Sequence, residues 1–485
     1  MSTLLNALQT ENTFTENGMT TNSSSLNSCV NLFFQIGAMR GKDKQVLINA
    51  FVKAYSEDAL TAMRLLFWAR DVRGGAGERQ VFRDIVRYLA ENRTESLAKN
   101  LPLFSEYGRW DDLLVLIGTR LEKQALGVIK QGLNDKNGLC AKWMPRPNVS
   151  SRESKRQASV IAKFLELTPK AYRRLIVDLS NTVEQLMCSK NWAQIQYSKL
   201  PSKAMSDYMK SFSKNDLERF QAYLTSLEKG ETKINAGALY PYDITKNLNN
   251  GSARGADAQW LALPNYMTNN SERLLPVVDV SGSMSCPAGG SKSVTCMDVS
   301  ISLGLYISER NEGPFKDAFV TFSDRPQLQY LKGKLSERYQ QLKTSSWSMS
   351  TNLEAVFRLI LTQATSNKVA PNEMPTMVLI LSDMEFNSAT GGSSWGNRQS
   401  SWNPTAQKMI ENMYAQAGYE IPKVVYWNLN ARNDNFPVQF DKQGTCLVSG
   451  FSPSLLTNLL QGKDLSPVSM MNQVVNSERY AAVTI

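Results

Sequence analysis

The most consequential absence from this sequence is histidine. None occurs among the 485 residues, so mechanisms that use an imidazole as general base or metal ligand are excluded. Serine hydrolases with a histidine base and zinc sites with histidine ligands are therefore ruled out. This absence favours a protein that is not an enzyme.

Cysteine is also scarce. Six cysteines are scattered along the chain without a CxxC pair, which predicts reduced thiols in a reducing compartment. Cys286 and Cys296 flank one loop, and a disulfide between them is the less favoured alternative.

Long apolar runs are missing as well. No stretch approaches the roughly 20 apolar residues that span a bilayer, and the N-terminus lacks the basic and then apolar layout of a secretory signal. The hydrophobic content of 42% supplies enough apolar side chains for two or three domain cores. We therefore expect a globular, cytoplasmic and monomeric protein.

The sequence pattern divides the chain into three parts. Residues 1–27 are rich in Thr, Asn and Ser, and we expect a mobile arm there. Residues 28–272 place apolar positions three and four residues apart, which predicts an all-α region of paired helices stacked as a HEAT-like solenoid. Residues 273–485 alternate short β-rich runs with helical stretches, which predicts a doubly wound α/β domain with a mostly parallel sheet.

Polar side chains with oxygen donors follow the apolar strands of this α/β part. Asp279 ends the run "LLPVVD", Ser281 and Ser283 follow at alternate positions, Thr351 precedes a helix, and Asp383 ends the run "VLILSD". Ligands in such sheets bind at the carboxyl ends of the strands. Two carboxylates and three hydroxyls suit a hard divalent cation, so the pattern predicts a Mg²⁺ or Mn²⁺ site.

Positive charge is concentrated in the first part of the chain. Residues 1–270 contain 36 Lys and Arg against 26 Asp and Glu, whereas residues 271–485 contain 18 of each. The densest run extends from Lys142 to Arg174, where nine basic residues meet only two glutamates. Such an imbalance suits an anionic polymer, although a solvated helix face has a similar composition. The candidate RNA-binding residues are Lys142, Trp143, Arg146, Arg152, Lys155, Arg156, Lys163, Arg173 and Arg174.

The segment "DVSGSMS", with Thr351 and Asp383, resembles the metal-ion-dependent adhesion site of von Willebrand factor A domains. In that family the serines and the threonine bind the metal directly, the aspartates act partly through water, and a partner's carboxylate completes the coordination shell. The resemblance implies the same fold over residues 274–485 and an acidic protein partner at the metal. The threonine loop lacks the glycines often found there, so Thr351 is the weaker ligand assignment.

The segments "LFWARDVRGGAGERQVFR" and "LPLFSEYGRWDDLLVL" resemble the helical TROVE module of Ro ribonucleoproteins. The order of the two parts is similar too, and a closer likeness is to uncharacterised TROVE-like proteins of phages and plants. Ro proteins bind small structured RNAs and single-stranded RNA ends, so the resemblance implies RNA binding. The charged residues of the first segment also predict an ion-pair cluster among Arg70, Asp71, Glu78 and Arg79.

Three functions remain open from the sequence. The favoured hypothesis is a non-enzymatic RNA-binding scaffold with a Mg²⁺ site that recruits a protein partner. An adaptor for an ATPase, a virion or a host complex, with no RNA role, is the alternative. Metal-assisted phosphodiester cleavage is a third and weaker option, because no second metal cluster accompanies the two aspartates.

Overall fold

The computed structural model describes residues 12–180, 182–248, 253–268, 270–288, 291, 293–322, 325–345, 351–388, 405–462 and 465–485. The N-terminal part is helical and the C-terminal part is built on a mixed sheet with helices. The helices of these ranges are all too short or too polar to cross a bilayer.

The helical part follows the three- and four-residue spacing of its apolar side chains. Several of its helices begin at short polar side chains, as where the Asp43 carboxylate accepts the Gln45 N–H and the Asn137 amide oxygen accepts the Leu139 N–H. The α-helices are α1 Ser28–Ile36, α2 Lys44–Glu57, α3 Ala59–Arg70, α4 Arg79–Asn92, α5 Thr94–Lys99, α6 Phe104–Tyr107, α7 Glu122–Asn134, α8 Gly138–Trp143, α9 Arg152–Phe164, α10 Pro169–Ser180, α11 Val183–Cys188, α12 Ser202–Asn215, α13 Leu217–Glu228, α14 Pro241–Thr245 and α15 Ala253–Leu261.

One segment with a helical pattern is not α-helical. Trp110–Leu116 forms a 3₁₀ helix in which the Asp112 carboxylate caps the Arg109 N–H at 2.9 Å. The same carboxylate accepts the Arg70 Nε–H at 2.7 Å, and both side chains are buried. The tighter turn places Asp112 against α3, where this ion pair forms.

The C-terminal part is built on a six-stranded sheet with helices. The strands are β3 Leu274–Val278, β4 Ala318–Thr321, β5 Leu328–Tyr330, β6 Met377–Ser382, β7 Lys423–Asn428 and β8 Thr445–Ser449, and the helices are α16 Cys296–Arg310, α17 Leu335–Thr344, α18 Leu353–Ser366, α19 Ala406–Ala417, α20 Leu455–Gln461 and α21 Pro467–Val475. The strand order is β5-β4-β3-β6-β7-β8, and all neighbouring strands are parallel except β5, which runs antiparallel to β4 at the edge.

The order in which the chain adds strands to the sheet reverses between β3 and β6. From β3 it moves outward to β4 and β5, and it then returns to place β6 on the other side of β3. These two central strands pair in register, with Val277 opposite Ile380. A crevice forms at the carboxyl ends of strands where the order reverses, and this is where open α/β sheets bind ligands.

Residues 12–22 form a hairpin that packs on the sheet, although the sequence pattern predicted a mobile arm over 1–27. Strand β1, Asn12–Phe14, pairs antiparallel with β2, Thr20–Asn22. The Thr15 hydroxyl donates to the Phe386 carbonyl at 2.6 Å in the loop after β6. These contacts order the arm because they satisfy its polar groups on the sheet edge. Residues 1–11 lie outside the described part of the chain.

The two parts of the chain share a continuous hydrophobic core. Helix α1 packs on the end of β8, where the Ser449 hydroxyl donates to the Phe33 carbonyl at 2.7 Å. The C-terminal segment returns to the helical part, where the Asp71 carboxylate accepts hydrogen bonds from Arg479 Nη2 at 2.7 Å and from the Tyr480 hydroxyl at 2.9 Å. A smaller, separate core is formed by side chains from Val183 to Ile234.

Candidate metal centre and basic face

Asp279 is the first residue after β3, and its side chain is fully buried. Its backbone N–H donates to the Leu381 carbonyl at 3.0 Å, which fixes where the side chain leaves the sheet. The carboxylate accepts the Ser281 N–H at 2.9 Å and the Ser382 hydroxyl at 2.5 Å. Burial, and then the charge of Asp383, raise the pKa of Asp279 to about 7. Ionising this group therefore costs free energy unless a cation compensates it.

The two predicted serines stand beside Asp279. Ser281 is buried and Ser283 is half-buried, and they lie at the start of the short 3₁₀ helix Gly282–Ser285. Their Oγ atoms are 3.0 Å apart. The structure thus brings the carboxylate and both hydroxyls of this segment to one edge of the sheet.

Asp383 directly follows β6, which pairs with β3, the strand that precedes Asp279. Its side chain is buried. Its Oδ2 atom accepts no hydrogen bond from the part of the chain that the structure describes. Arg432 Nε lies 3.4 Å from that oxygen, and Arg432 Nη2 donates to the Ser283 carbonyl at 2.7 Å. Burial raises the pKa of Asp383 although the Arg432 charge opposes this shift. Besides this long ion pair, the Glu385 N–H donates to Asp383 Oδ1 at 3.4 Å, so the buried carboxylate is only weakly compensated.

Thr351 is held at the same edge by the loop that follows β6. Its N–H donates to Asn387 Oδ1 at 3.3 Å, and the Asn387 N–H donates to the Thr351 carbonyl at 3.0 Å. The Asn17 amide donates to Thr351 Oγ1 at 3.3 Å and to the Glu385 carbonyl at 2.6 Å. The Thr351 hydroxyl thus already accepts a hydrogen bond from the N-terminal hairpin.

Glu385, which lies two residues beyond Asp383 and is buried, was not among the predicted site residues. Its Oε1 accepts the amides of Asn435 at 2.9 Å and Asn433 at 3.2 Å, and its Oε2 accepts the Glu16 N–H at 2.6 Å. Burial raises the pKa of Glu385. These contacts tie the hairpin to the loops after β6 and β7.

Arg432 and Glu16 were missed as well. Arg432 Nη1 lies 3.2 Å from Glu16 Oε2, so one guanidinium is shared between Glu16 and Asp383. Arg432 belongs to the loop after β7, the next parallel strand beyond β6. The rule that located the aspartates, a polar residue after a buried parallel strand, also applies to this loop.

The arrangement provides oxygen donors of the kind that Mg²⁺ and Mn²⁺ prefer. Within the described ranges no group of three or more Asp, Glu, Cys or His side chains is placed to hold a metal ion. A cation here would rest on Asp279 and Asp383, with hydroxyls and water completing its shell. Asp383 Oδ2, which accepts no hydrogen bond within the described residues, and the raised pKa values of both carboxyls fit such a cation.

The residues predicted to bind RNA lie on three consecutive helices and one loop. At 100° per residue, the four basic residues of α9 fall within roughly a third of the helix circumference. The opposite face of α9 buries Ala158 and Ile161. Lys142 and Trp143 lie on α8, Arg146 lies in the following loop, Arg152, Lys155, Arg156 and Lys163 lie on α9, and Arg173 and Arg174 lie on α10.

These basic side chains differ in their ion pairs. Among the residues with assigned coordinates, Arg152, Lys155 and Lys163 are exposed and have no acidic partner within 4.0 Å. Two others are paired on the surface: Arg156 with Glu153 at 2.7 Å, and Arg174 with Asp178 at 3.6 Å.

The aromatic candidate is already in contact with a cation. The Arg109 guanidinium carbon lies 3.7 Å from the centre of the Trp143 ring, a cation–π contact that covers one ring face. Lys142 Nζ is 3.3 Å from Glu184 Oε1. The exposed residues of α9 are therefore better phosphate candidates than Lys142, and Trp143 has at most one face free for a base.

Comparison with known sequences places the chain in a family. The chain belongs to the family described as a domain of unknown function, DUF2828, whose model matches residues 15–138 and 146–273. A second model, also described as a domain of unknown function, DUF7788, matches residues 274–482. Uncharacterized protein L728 of Acanthamoeba polyphaga mimivirus is 28% identical over 515 aligned residues, which cover 95% of this chain and 87% of that protein.

These matches correct the family resemblance. The identification with the TROVE module and with von Willebrand factor A domains was wrong, because the family models that match are the two domains of unknown function. The resemblance rested on short segments, namely glycine-rich helix ends and an Asp-x-Ser-x-Ser turn after a strand. Capping and turn requirements favour such segments in unrelated helices and sheets.

Proposed function

We propose that this protein is a non-enzymatic RNA-binding scaffold whose α/β part binds a divalent cation and, through it, an acidic protein partner. The observation that carries the proposal is that Arg152, Lys155 and Lys163 on α9 are exposed and, within the described residues, have no acidic partner within 4.0 Å. Three cations on one face without acidic partners favour phosphate binding over a merely solvated surface. In this proposal the helical part is a HEAT-like stack, which the packing of consecutive helices on one another supports.

The metal carries out no chemistry in this proposal. Asp279 and Asp383 would hold the cation, the hydroxyls of Ser281 and Ser283 would add oxygen donors, and water or an acidic ligand would fill the remaining positions. Arg432 would then exchange part of its contact with Asp383 for Glu16 or an incoming carboxylate. Mg²⁺ in such a site neutralises the two buried carboxylates.

RNA binding is tested by removing the unpaired cations. Replacing Arg152, Lys155 and Lys163 by Gln should weaken binding of single-stranded RNA across sequences, because each phosphate contact contributes about −0.7 to the slope of log affinity against log salt. The slope should become shallower by about two if all three touch phosphate. Fluorescence anisotropy over a range of salt concentrations measures both quantities.

A control of equal charge separates site binding from general attraction. The triple Gln variant of three exposed but paired cations outside α8–α10, Lys203, Arg254 and Lys408, removes the same formal charge. It should retain most of the affinity and slope. Equal losses in both variants, or no RNA binding by the parent protein, would contradict the proposed face and favour the adaptor without an RNA role.

Metal binding is tested on its own. Asp279→Ala should abolish Mn²⁺ binding in calorimetry, while Glu420→Gln, an exposed substitution in the same part of the chain, should not change it. An acidic peptide should tighten Mn²⁺ binding to the parent protein if a partner's carboxylate completes the shell. Unchanged affinity in Asp279→Ala would remove the metal from the proposal.

A further inference from the structure

Two cysteines lie at the ends of a loop close to the candidate metal centre. The Sγ atoms of Cys286 and Cys296 are 3.4 Å apart. The Cys296 N–H donates to the Cys286 carbonyl at 3.0 Å, and the Ala288 N–H donates to the Val294 carbonyl at 2.9 Å. Because these two hydrogen bonds join the ends of the loop, the main chain itself holds the two sulfurs together.

The two thiols differ in access. Cys286 is half-buried, whereas Cys296 is buried under the loop that follows β7. A reagent therefore reaches Cys286 first, and Cys296 is placed to react with the product.

We propose that Cys286 and Cys296 form a reversible dithiol–disulfide site that is oxidised by a peroxide and restored by a thiol reductant. The Cys286 sulfur attacks the O–O bond of hydrogen peroxide, which gives a sulfenic acid and one water. The Cys296 sulfur then displaces the hydroxyl as a second water and forms the S–S bond. Two thiols and one peroxide thus become one disulfide and two waters, and the sulfurs move from 3.4 Å to about 2.05 Å.

Oxidation would alter contacts on the loop that carries Arg432. In the thiol form, the Asn430 amide donates to Cys286 Sγ at 3.3 Å and the Cys296 thiol donates to the Leu429 carbonyl at 3.7 Å. The disulfide has no thiol proton to donate, and it shifts both sulfurs. The redox state of the pair is thereby linked to the position of Arg432 beside Asp383; only this link rests on the proposed metal centre.

The disulfide can be mapped without metal or RNA. After treatment of the full-length protein with hydrogen peroxide and alkylation of the remaining thiols, trypsin cleaves after Arg273, Lys292 and Arg310 and separates the two cysteines. The peptides 274–292 and 293–310 should then be found linked, and dithiothreitol should release them. The linked species should exceed any disulfide of the exposed Cys188 by about tenfold, because Cys188 has no thiol beside it.

Serine variants test whether Cys286 and Cys296 are the two cysteines that form the disulfide. Cys286→Ser and Cys296→Ser should each abolish the linked peptides, and Cys188→Ser should leave them unchanged. Because Cys286 is only half-buried, we expect Cys286→Ser to fold. This variant therefore tests the disulfide even if the buried Cys296→Ser fails to fold. Absence of the linked species in the parent protein, while Cys188 is oxidised in the same sample, would overturn the proposal.

Mn²⁺ affinity tests the proposed link between the redox state of the cysteine pair and the metal centre. Mn²⁺ affinity of the peroxide-treated protein should differ from that of the reduced protein by roughly fivefold or more, and Cys286→Ser should remove the difference. Equal affinities with the disulfide formed would overturn the link. A protein that binds no Mn²⁺ in either state would contradict the proposed function instead, while the mapped disulfide would stand.

Discussion

Asp279→Asn should stabilise the protein at alkaline pH when no divalent cation is present. The pKa of Asp279 is raised from 3.8 to about 7, so the native state holds its proton more tightly than the unfolded chain does. The free energy of unfolding therefore falls as pH rises from about 4 to about 7, and the loss is complete above that window. Asparagine is neutral at every pH and escapes this loss.

The magnitude follows from the size of the shift. At 1.36 kcal/mol per pKa unit, the rise from 3.8 to about 7 corresponds to about 4 kcal/mol. Asparagine retains an oxygen for the Ser281 N–H and gains an N–H₂ group for the Ser382 oxygen, so the net gain at pH 8 should lie between about 1 and 4 kcal/mol. At pH 5 the advantage should be smaller by about 2 to 3 kcal/mol, because the native carboxyl is still protonated there.

Thermal unfolding in EDTA at pH 5 and pH 8 measures this difference. Glu420→Gln, which removes an exposed carboxylate from the same part of the chain, controls for the change in net charge. Adding Mn²⁺ at pH 8 should reverse the order, because the cation stabilises the parent protein and not the variant. An advantage of Asp279→Asn that is the same at both pH values, or a variant less stable than the parent at pH 8, would refute the reasoning.

Three further outcomes follow. Asp112→Asn should destabilise the protein by about 3 to 5 kcal/mol because it leaves the buried Arg70 charge unpaired, whereas Asp178→Asn, in an exposed pair, should cost less than about 1 kcal/mol in the same melts. Gly75→Ala should cost more than about 2 kcal/mol, since its Cβ would lie 1.9 Å from a backbone carbonyl oxygen, while Gly127→Ala, which meets nothing within 4 Å, should be neutral or stabilising. Purified protein with Mg²⁺ should neither cleave RNA nor hydrolyse nucleotides, and turnover that persists through further purification would contradict the non-enzymatic proposal.

The sequence alone determined the elements whose apolar pattern is local. Strands β3 and β6 lie where the apolar runs "LLPVVD" and "VLILSD" predicted them, and helices alternate with strands in the C-terminal part as its pattern predicted. Period and composition report which face of a segment is buried, and that is decided within a few residues. The same locality explains why Asp279 and Asp383 could be found: each ends its own apolar run.

Short edge elements carry too little of this signal. Strand β5 has three residues and runs antiparallel at the sheet edge, and β8 has five. Neither was predicted: β5 buries none of its three residues and so lacks an apolar run, and β8 lies in the segment "TCLVSG", whose Thr, Ser and Gly are typical of a turn.

Only the tertiary structure decided which charged groups meet. The sequence predicted an ion-pair cluster among Arg70, Asp71, Glu78 and Arg79, but their partners lie elsewhere in the chain: Arg70 pairs with Asp112, Asp71 with Arg479, and Glu78 with Arg40. At the sheet edge, Arg432 reaches Asp383 and Glu16 in the same way. A buried charge takes the partner that packing brings within a few ångströms, and sequence separation has no influence on that distance. Local periodicity therefore located the strand ends, and the packing of remote loops set the charge balance of the candidate metal centre.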